Sequence, residues 1–164
     1  MLNVRTYMAD SGLVSIGGTS ATPALYLSTS STQTLTIAKI KVSVEGVSSP
    51  APPSNGSVFF SLNLVTGTVG GGGAVTPTQL SGPALAAQTT WKSASSAALT
   101  GLTQSTEVWP FTVPFTAGAS WADDHENTGL EVPIPISGLY AVYFTAASGA
   151  GSGCSARVCA WFAE

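Results

Sequence analysis

The feature that most constrains this fold is the two-residue periodicity of the C-terminal third. From Cys154 to Phe162 (CSARVCAWF), residues Cys154, Ala156, Val158, Ala160 and Phe162 fall on one side, and Ser155, Arg157, Cys159 and Trp161 on the other. That alternation fits a strand with two unlike faces and does not fit a helix, whose faces repeat every 3.6 residues. Leu139 to Ala146 (LYAVYFTA) has the same pattern, with Tyr140, Val142 and Phe144 set against Ala141, Tyr143 and Thr145. A Gly- and Ser-rich loop, Ala147 to Gly153, separates the two runs, so they are expected to pair as an antiparallel hairpin. Just upstream, Gly129 to Ser137 (GLEVPIPIS) contains Pro133 and Pro135, which have no backbone N–H. It reads as an extended sheet edge, closed by a tight turn at Ser137-Gly138.

The N-terminal half follows the same logic. Val4 to Met8 and Gly12 to Ile16 are two short strand candidates, followed by a Gly17-Gly18 break and a third candidate at Ala24 to Ser28. Gln33 to Glu45 changes phase: Leu35 and Ile37 share one parity, Ile40, Val42 and Val44 the other. One extra residue near Ala38-Lys39, a β-bulge, keeps all five on the core side and turns Lys39, Lys41, Ser43 and Glu45 outward. Gly46 to Gly56, with three prolines and an Asn-Gly pair, is a projecting loop, after which Ser57 to Thr66 returns as a strand with Val58, Phe60, Leu62 and Leu64 in register. The two strands are expected to form a long-looped hairpin. Gly67 to Gly73 reads as a flexible surface excursion. Thr76 to Ala87 and Thr89 to Ala94 have no clear pattern, and Ser93 to Leu99 can hold one helical turn. Thr106 to Phe115, with Pro110 and Pro114, reads as another sheet edge. Eight to ten short strands and little or no helix predict an all-β fold, a two-sheet antiparallel sandwich of jelly-roll type. Residues 12–164 form its single domain, preceded by an N-terminal arm over 1–11.

Composition narrows the class of function. Charged residues make up 8% of the 164, against about 25% in an average soluble protein. So neutral a surface suits contact with other protein, with a solvated Ser/Thr β-surface as the plainer alternative. The net charge is −3 and the five cations, Arg5, Lys39, Lys41, Lys92 and Arg157, are scattered, so no direct nucleic-acid partner is expected. No stretch approaches the roughly 18 apolar residues of a membrane span, and Met1 to Asp10 lacks the apolar core of a signal peptide. A cytoplasmic product with no membrane partner is expected. Cys154 and Cys159 lie five residues apart on one strand, about 16 Å at ~3.3 Å per residue. A disulfide requires less than about 7 Å, so both are expected to be free thiols filling small buried sites.

No residues stand out as a catalytic, cofactor or metal site. Asp123-Asp124-His125-Glu126 has the atoms of a metal site or of acid/base chemistry, but four consecutive residues cannot converge on one ion, and a solvated loop is the simpler reading. Glu107, Asp123, Asp124, Glu126 and Glu131 supply carboxylates without a defining glycosidase spacing. One His, and no Gly-x-Ser-x-Gly elbow, leaves no triad to assign. Gly70 to Gly73 lacks the Lys-Ser/Thr and helix of a phosphate loop. Trp91, Trp109, Trp121 and Trp161 can be a sugar platform, but their dispersal among strand-like segments favours core and interface roles.

Several passages together resemble small β-sandwich virion proteins of tailed bacteriophages: RTYMADSGLVSIGG (Arg5 to Gly18), the Ile40 to Val47 strand with its Pro-rich loop, VFFSLNLVTGTVGGGGAVTPTQL (Val58 to Leu80), and the closing CAWFAE (Cys159 to Glu164). The resemblance implies a non-enzymatic capsid decoration (cement) protein. It would be made in the host cytoplasm and bound outside the shell of the virion, with the major capsid protein as partner and self-association, for instance as a trimer. The alternative is a head- or tail-fibre module that binds a host surface glycan. No functional residues carry over from the resemblance. Met1 to Ser11, Thr106 to Phe115 and Gly129 to Ser137 are the expected contact elements, and deleting Met1 to Ser11 is expected to leave the sandwich folded.

Overall fold

The computed structural model describes residues 5–16, 20–46, 57–114, 119–124, 131–146 and 154–164. They form twelve strands and no helix: β1 (Thr6–Ser15), β2 (Thr22–Ser28), β3 (Leu35–Gly46), β4 (Ser57–Gly71), β5 (Gly73–Val75), β6 (Thr78–Ser81), β7 (Thr90–Ser93), β8 (Leu99–Pro114), β9 (Ser120–Asp124), β10 (Val132–Ile134), β11 (Leu139–Ala146) and β12 (Ser155–Ala163). Two six-stranded sheets result. Sheet A runs β10-β3-β12-β1-β6, with β9 also paired to β3; sheet B runs β5-β7-β2-β11-β4-β8. All pairings are antiparallel. The chain is the all-β, two-sheet sandwich its alternation predicts.

The inner faces meet in one core built from that alternation. Ala156, Val158, Ala160 and Phe162 of β12 are buried, and so are Val58, Phe60 and Leu62 of β4 and Tyr140, Val142 and Phe144 of β11. Aromatic stacks cross between the sheets. Phe162 of β12 lies 5.3 Å from Tyr7 of β1 and 4.9 Å from Trp91 of β7. Trp121 of β9 lies flat on Phe111 of β8 at 4.0 Å, and Phe111 stacks on Phe60 at 5.6 Å. Such pairs add about 0.5–1.5 kcal/mol each beyond the area they bury. The C-terminal Glu164 extends the Phe162 stack into a polar clasp. Its carboxylate accepts from the Gln88 and Thr89 amides and from the Thr89 hydroxyl, which in turn accepts from Trp91 Nε1.

Bulges hold the alternation in phase. In β3, Lys39 pairs with Trp161 and Ile37 with Phe162, so Ala38 is the extra residue, and Leu35, Ile37, Ile40, Val42 and Val44 are all buried. In β1, Asp10 pairs with Cys159 and Leu13 with Arg157, leaving Ser11 and Gly12 opposite Val158. What the sequence suggests as two short strands is therefore one bulged strand. The polar residues that look like a turn build the bulge: the Val158 amide donates to Ser11 Oγ at 2.9 Å, the Gly12 amide donates to Asp10 Oδ1 at 2.8 Å, and Gly12 takes the left-handed φ of +67°.

β4 and β8 pair from Ser57↔Pro114 to Gly71↔Leu99. After Gly71 the chain enters β5, which pairs with β7, on the far side of β11 and β2 from β4. The distal ribbon therefore crosses the outer face of sheet B, where Val65, Leu99, Val69 and Leu102 pack on Tyr26, Leu139, Ala141 and Tyr143 as a second, smaller core. Gly67 and Gly101 allow the crossing. Both have positive φ, and a Cβ on either would run into a carbonyl oxygen of the facing strand.

Several expectations are corrected here. β11 and β12 do not form a hairpin, and neither do β3 and β4; each pair is split between the sheets. A strand's two-faced pattern says which side is buried and not which strand lies beside it. The connections from Ala146 to Ser155 and from Gly46 to Ser57 are long enough to cross the ~10 Å between sheets. The arm expected over 1–11 is not free from Thr6 onward. Thr6 to Ser11 belong to β1, an interior strand between β12 and β6 that buries Tyr7 and Ala9, so a cut at Ser11 removes core. Gly67 to Gly73 is no loose excursion, because Gly70 and Gly71 end β4 and Gly73 begins β5. Ser93 to Leu99 holds a turn at Ala94-Ser95 and no helix. Among the described residues the two sheet edges are found where the prolines place them: β8 ends sheet B, and β10 pairs only with β3. The Ser137-Gly138 turn also forms, with the Gly138 amide donating to the Pro135 carbonyl at 3.1 Å. Met1 to Val4, the Gly17-Gly18 break and the loops Val47 to Gly56 and Ala147 to Gly153 lie outside the described residues, as do Phe115 and Gly129-Leu130.

Two stability outcomes follow. Ser11→Ala removes the acceptor of the Val158 amide and should destabilise the protein by about 1–3 kcal/mol in chemical denaturation, with faster amide exchange at Val158. Tyr143 is buried in the second core, and its hydroxyl has no hydrogen-bond partner among the described residues. Burial also pushes its pKa up. Tyr143→Phe should therefore be neutral or stabilising, by up to about 1 kcal/mol, in the same measurement.

Candidate functional site

The strands of sheet A direct their second set of side chains away from the core, and in the centre of that outer face these fall into three rows. Met8, Trp161 and Lys39 are in register across β1, β12 and β3; Asp10, Cys159 and Lys41 form the next row, and Leu13, Arg157 and Ser43 the third. Three of the chain's five cations thus share one face. Lys39 Nζ lies 5.5 Å from the centre of the Trp161 ring, a cation–π contact. Arg157 Nη1 donates to Asp10 Oδ2 at 3.2 Å, so both Asp10 oxygens are engaged, the other by the Gly12 amide. Ser43 Oγ donates to Glu45 at 2.7 Å. Leu13 is 50% exposed, and Trp161 and Cys159 are half-buried among their neighbours.

Charge decides what this face can do. Burial pushes the Cys159 thiol up to about 11; the Asp10 carboxylate opposite adds to the rise, and Arg157 and Lys41 only partly offset it. The thiolate is the reactive form, and this environment holds the sulfur as the thiol at neutral pH. Asp10 is held in an ion pair and a backbone bond. The face carries an aromatic and a thioether at one end and cations along its middle strand pair.

Among the described residues, those considered from the sequence do not converge. Asp123 and Asp124 end β9, opposite Ile40 and Lys39, so this half of the segment is strand and not loop; His125 and Glu126 lie outside the described residues. Glu107 is exposed on β8 in sheet B, whereas Glu131 precedes β10 in sheet A. Among the described residues no three His, Cys, Asp or Glu side chains gather as metal ligands would. Trp91 and Trp109 are buried in the core, Trp121 is stacked on Phe111, and Trp161 alone faces outward, so the four make no common platform. Cys154 and Cys159 are both free thiols, as their spacing predicts; Cys154 is buried and Cys159 only half so. No helix of the described residues is long and apolar enough to cross a membrane. The rows of the outer face are the feature that sequence reasoning missed. The bulge at Ser11-Gly12 hides the β1 parity, although the β12 alternation already placed Arg157, Cys159 and Trp161 together.

The thiol provides a direct check with its sign fixed. Cys159 is raised from an ordinary 9.0, so the folded state holds its proton longer than the unfolded chain does. Its contribution to stability is present below pH 9 and is lost as pH rises from 9 towards about 11. Alkylation of Cys159 by iodoacetamide in the folded protein should be slow at pH 8 and rise steeply only near pH 11. Asp10→Asn should move that rise to lower pH.

No protein-family model, no curated protein and no solved structure matches this chain.

Proposed function

We propose that this protein is a non-enzymatic structural component of a tailed-bacteriophage virion, a capsid decoration (cement) protein. In this reading it binds the outside of the major capsid shell, stabilises it, and sits there beside copies of itself. The observation that carries the reading is the combination of a stiff, strand-built body with a surface nearly without charge: five Lys and Arg and eight Asp and Glu in 164 residues. A freely diffusing protein uses charge to keep its neighbours away, whereas a subunit held by wide contact has little need of it. The chemistry of the outer face of sheet A agrees, since its one thiol is held protonated and Asp10 is tied to Arg157 and Gly12. A closed cyclic arrangement such as a trimer would match a threefold position of a shell.

The test is sedimentation of the purified protein with expanded, DNA-free heads of the phage that encodes it, prepared without this protein. The reading expects saturable co-sedimentation at a fixed number of copies per head, a higher disruption temperature for the loaded heads, and no specific signal on a glycan array. Failure to sediment with the heads, together with specific retention of one glycan class, would replace it with the fibre-module reading.

A further inference from the structure

The four edges of the two sheets are unequal. Among the described residues β5 has three residues, β6 has four, and the edge beside β3 is shared by the five-residue β9 and the three-residue β10, while β8 runs for sixteen residues with only β4 as neighbour. A long open edge offers a row of free backbone groups to any strand that meets it. The register shows how this edge is closed. From Ser57↔Pro114 to Leu62↔Trp109 the ladder is unbroken. Pro110 has no N–H to give, so a ladder with its full set of hydrogen bonds is made through Trp109, Phe111 and Val113. The backbones of 110, 112 and 114 therefore point away from β4, and at two of these three outward positions the donor is missing. Towards its N-terminus β8 carries Val108 and Ser105 as bulged extra residues, with the exposed Glu107 between them, so the outward row of donors is interrupted there as well. β10 repeats the device. Val132↔Ile37, Pro133↔Thr36 and Ile134↔Leu35 are in register, Val132 and Ile134 can make the bonds to β3, and the outward position is Pro133.

We propose that Pro110, Pro114 and Pro133 are edge guards: they prevent another strand, above all the same edge of a second copy, from adding alongside β8 or β10. The inference rests on backbone geometry and is independent of the proposed function. It also changes what the proline-marked segments do, since they close the edges to strand addition where the sequence alone suggested contact elements.

The experiment compares the native chain with Pro110→Thr/Pro114→Thr by analytical ultracentrifugation and thioflavin fluorescence over a concentration series. Thr is chosen because Thr112 already occupies the intervening outward position. The double variant should keep the native circular dichroism at low concentration. As concentration rises, its weight-average mass should at least double relative to the native chain, or it should become thioflavin-positive. A double variant that matches the native chain at every concentration would overturn the proposal. Thr112→Pro tests the geometry separately. It should fold with a melting temperature within a few degrees of native, because its N–H makes no ladder bond; unfolding of this variant would show that position 112 points inward and would equally overturn the proposal.

Discussion

Everything in this sandwich depends on one demand, that each strand keep the same side against the opposite sheet for its whole length. A strand with a side-chain period of two cannot slip by one residue without turning its apolar set outward. Strands of ten to sixteen residues in twisted sheets meet this demand only with help, and the bulges supply it. Ala38 takes up the phase change of β3, and Ser11 with Gly12 does the same for β1. Both bulges lie against β12, the strand at the centre of sheet A, whose buried Phe162 joins Tyr7 and Trp91 into one stack across the core. With the phase held, Glu164 at the end of β12 falls within reach of Gln88 and Thr89, and it ties down a segment with no regular structure of its own.

What could be read in advance follows from the same period. Parity is a local property, so the buried faces of β3, β11 and β12, and even the position of the β3 bulge, stand in the amino-acid pattern. Neighbourhood is not local. β11 and β12 each present one apolar side, which is equally consistent with pairing to each other and with facing each other across a core. The β1 bulge is hidden for a different reason. Asp10-Ser11-Gly12 has the chemistry of a turn, and only the partner strand shows that Ser11 Oγ supplies the acceptor that the displaced backbone would have given Val158. The Gly-rich passage misleads likewise: its glycines look like slack, yet Gly67 and Gly101 are required because two backbones approach too closely for a side chain. Of the candidate site, the β12 half of the outer face is legible by alternation, and the β1 half is legible only once the bulge is known.

The two outer faces are handled differently. Sheet B turns its own ribbon over Tyr26, Ala141 and Tyr143, so part of that face is already core. Sheet A presents Trp161, Met8, Leu13 and three of the five cations in registered rows, Leu13 and Lys41 exposed and the others half-buried. Side chains held in rows by a sheet lose little further freedom when a partner covers them, which lowers the entropic cost of association. In the decoration-protein reading this gives the chain one prepared face, with Trp161 and Arg157 of the residue types that dominate binding energy when desolvated.

Closed edges complete that logic. A β-protein that must gather at high density on a surface faces the hazard that its copies join edge to edge without limit, since strand addition is indifferent to sequence. Prolines placed with their backbones outward remove the donors at no loss to the β4 or β3 ladder, because those positions face away from the paired strand. Contact is then left to side chains on faces, where shape and charge select the partner and the number of copies is set by geometry. The scarcity of surface charge makes such guards more necessary, for a chain with little electrostatic repulsion must prevent unwanted pairing through its backbone.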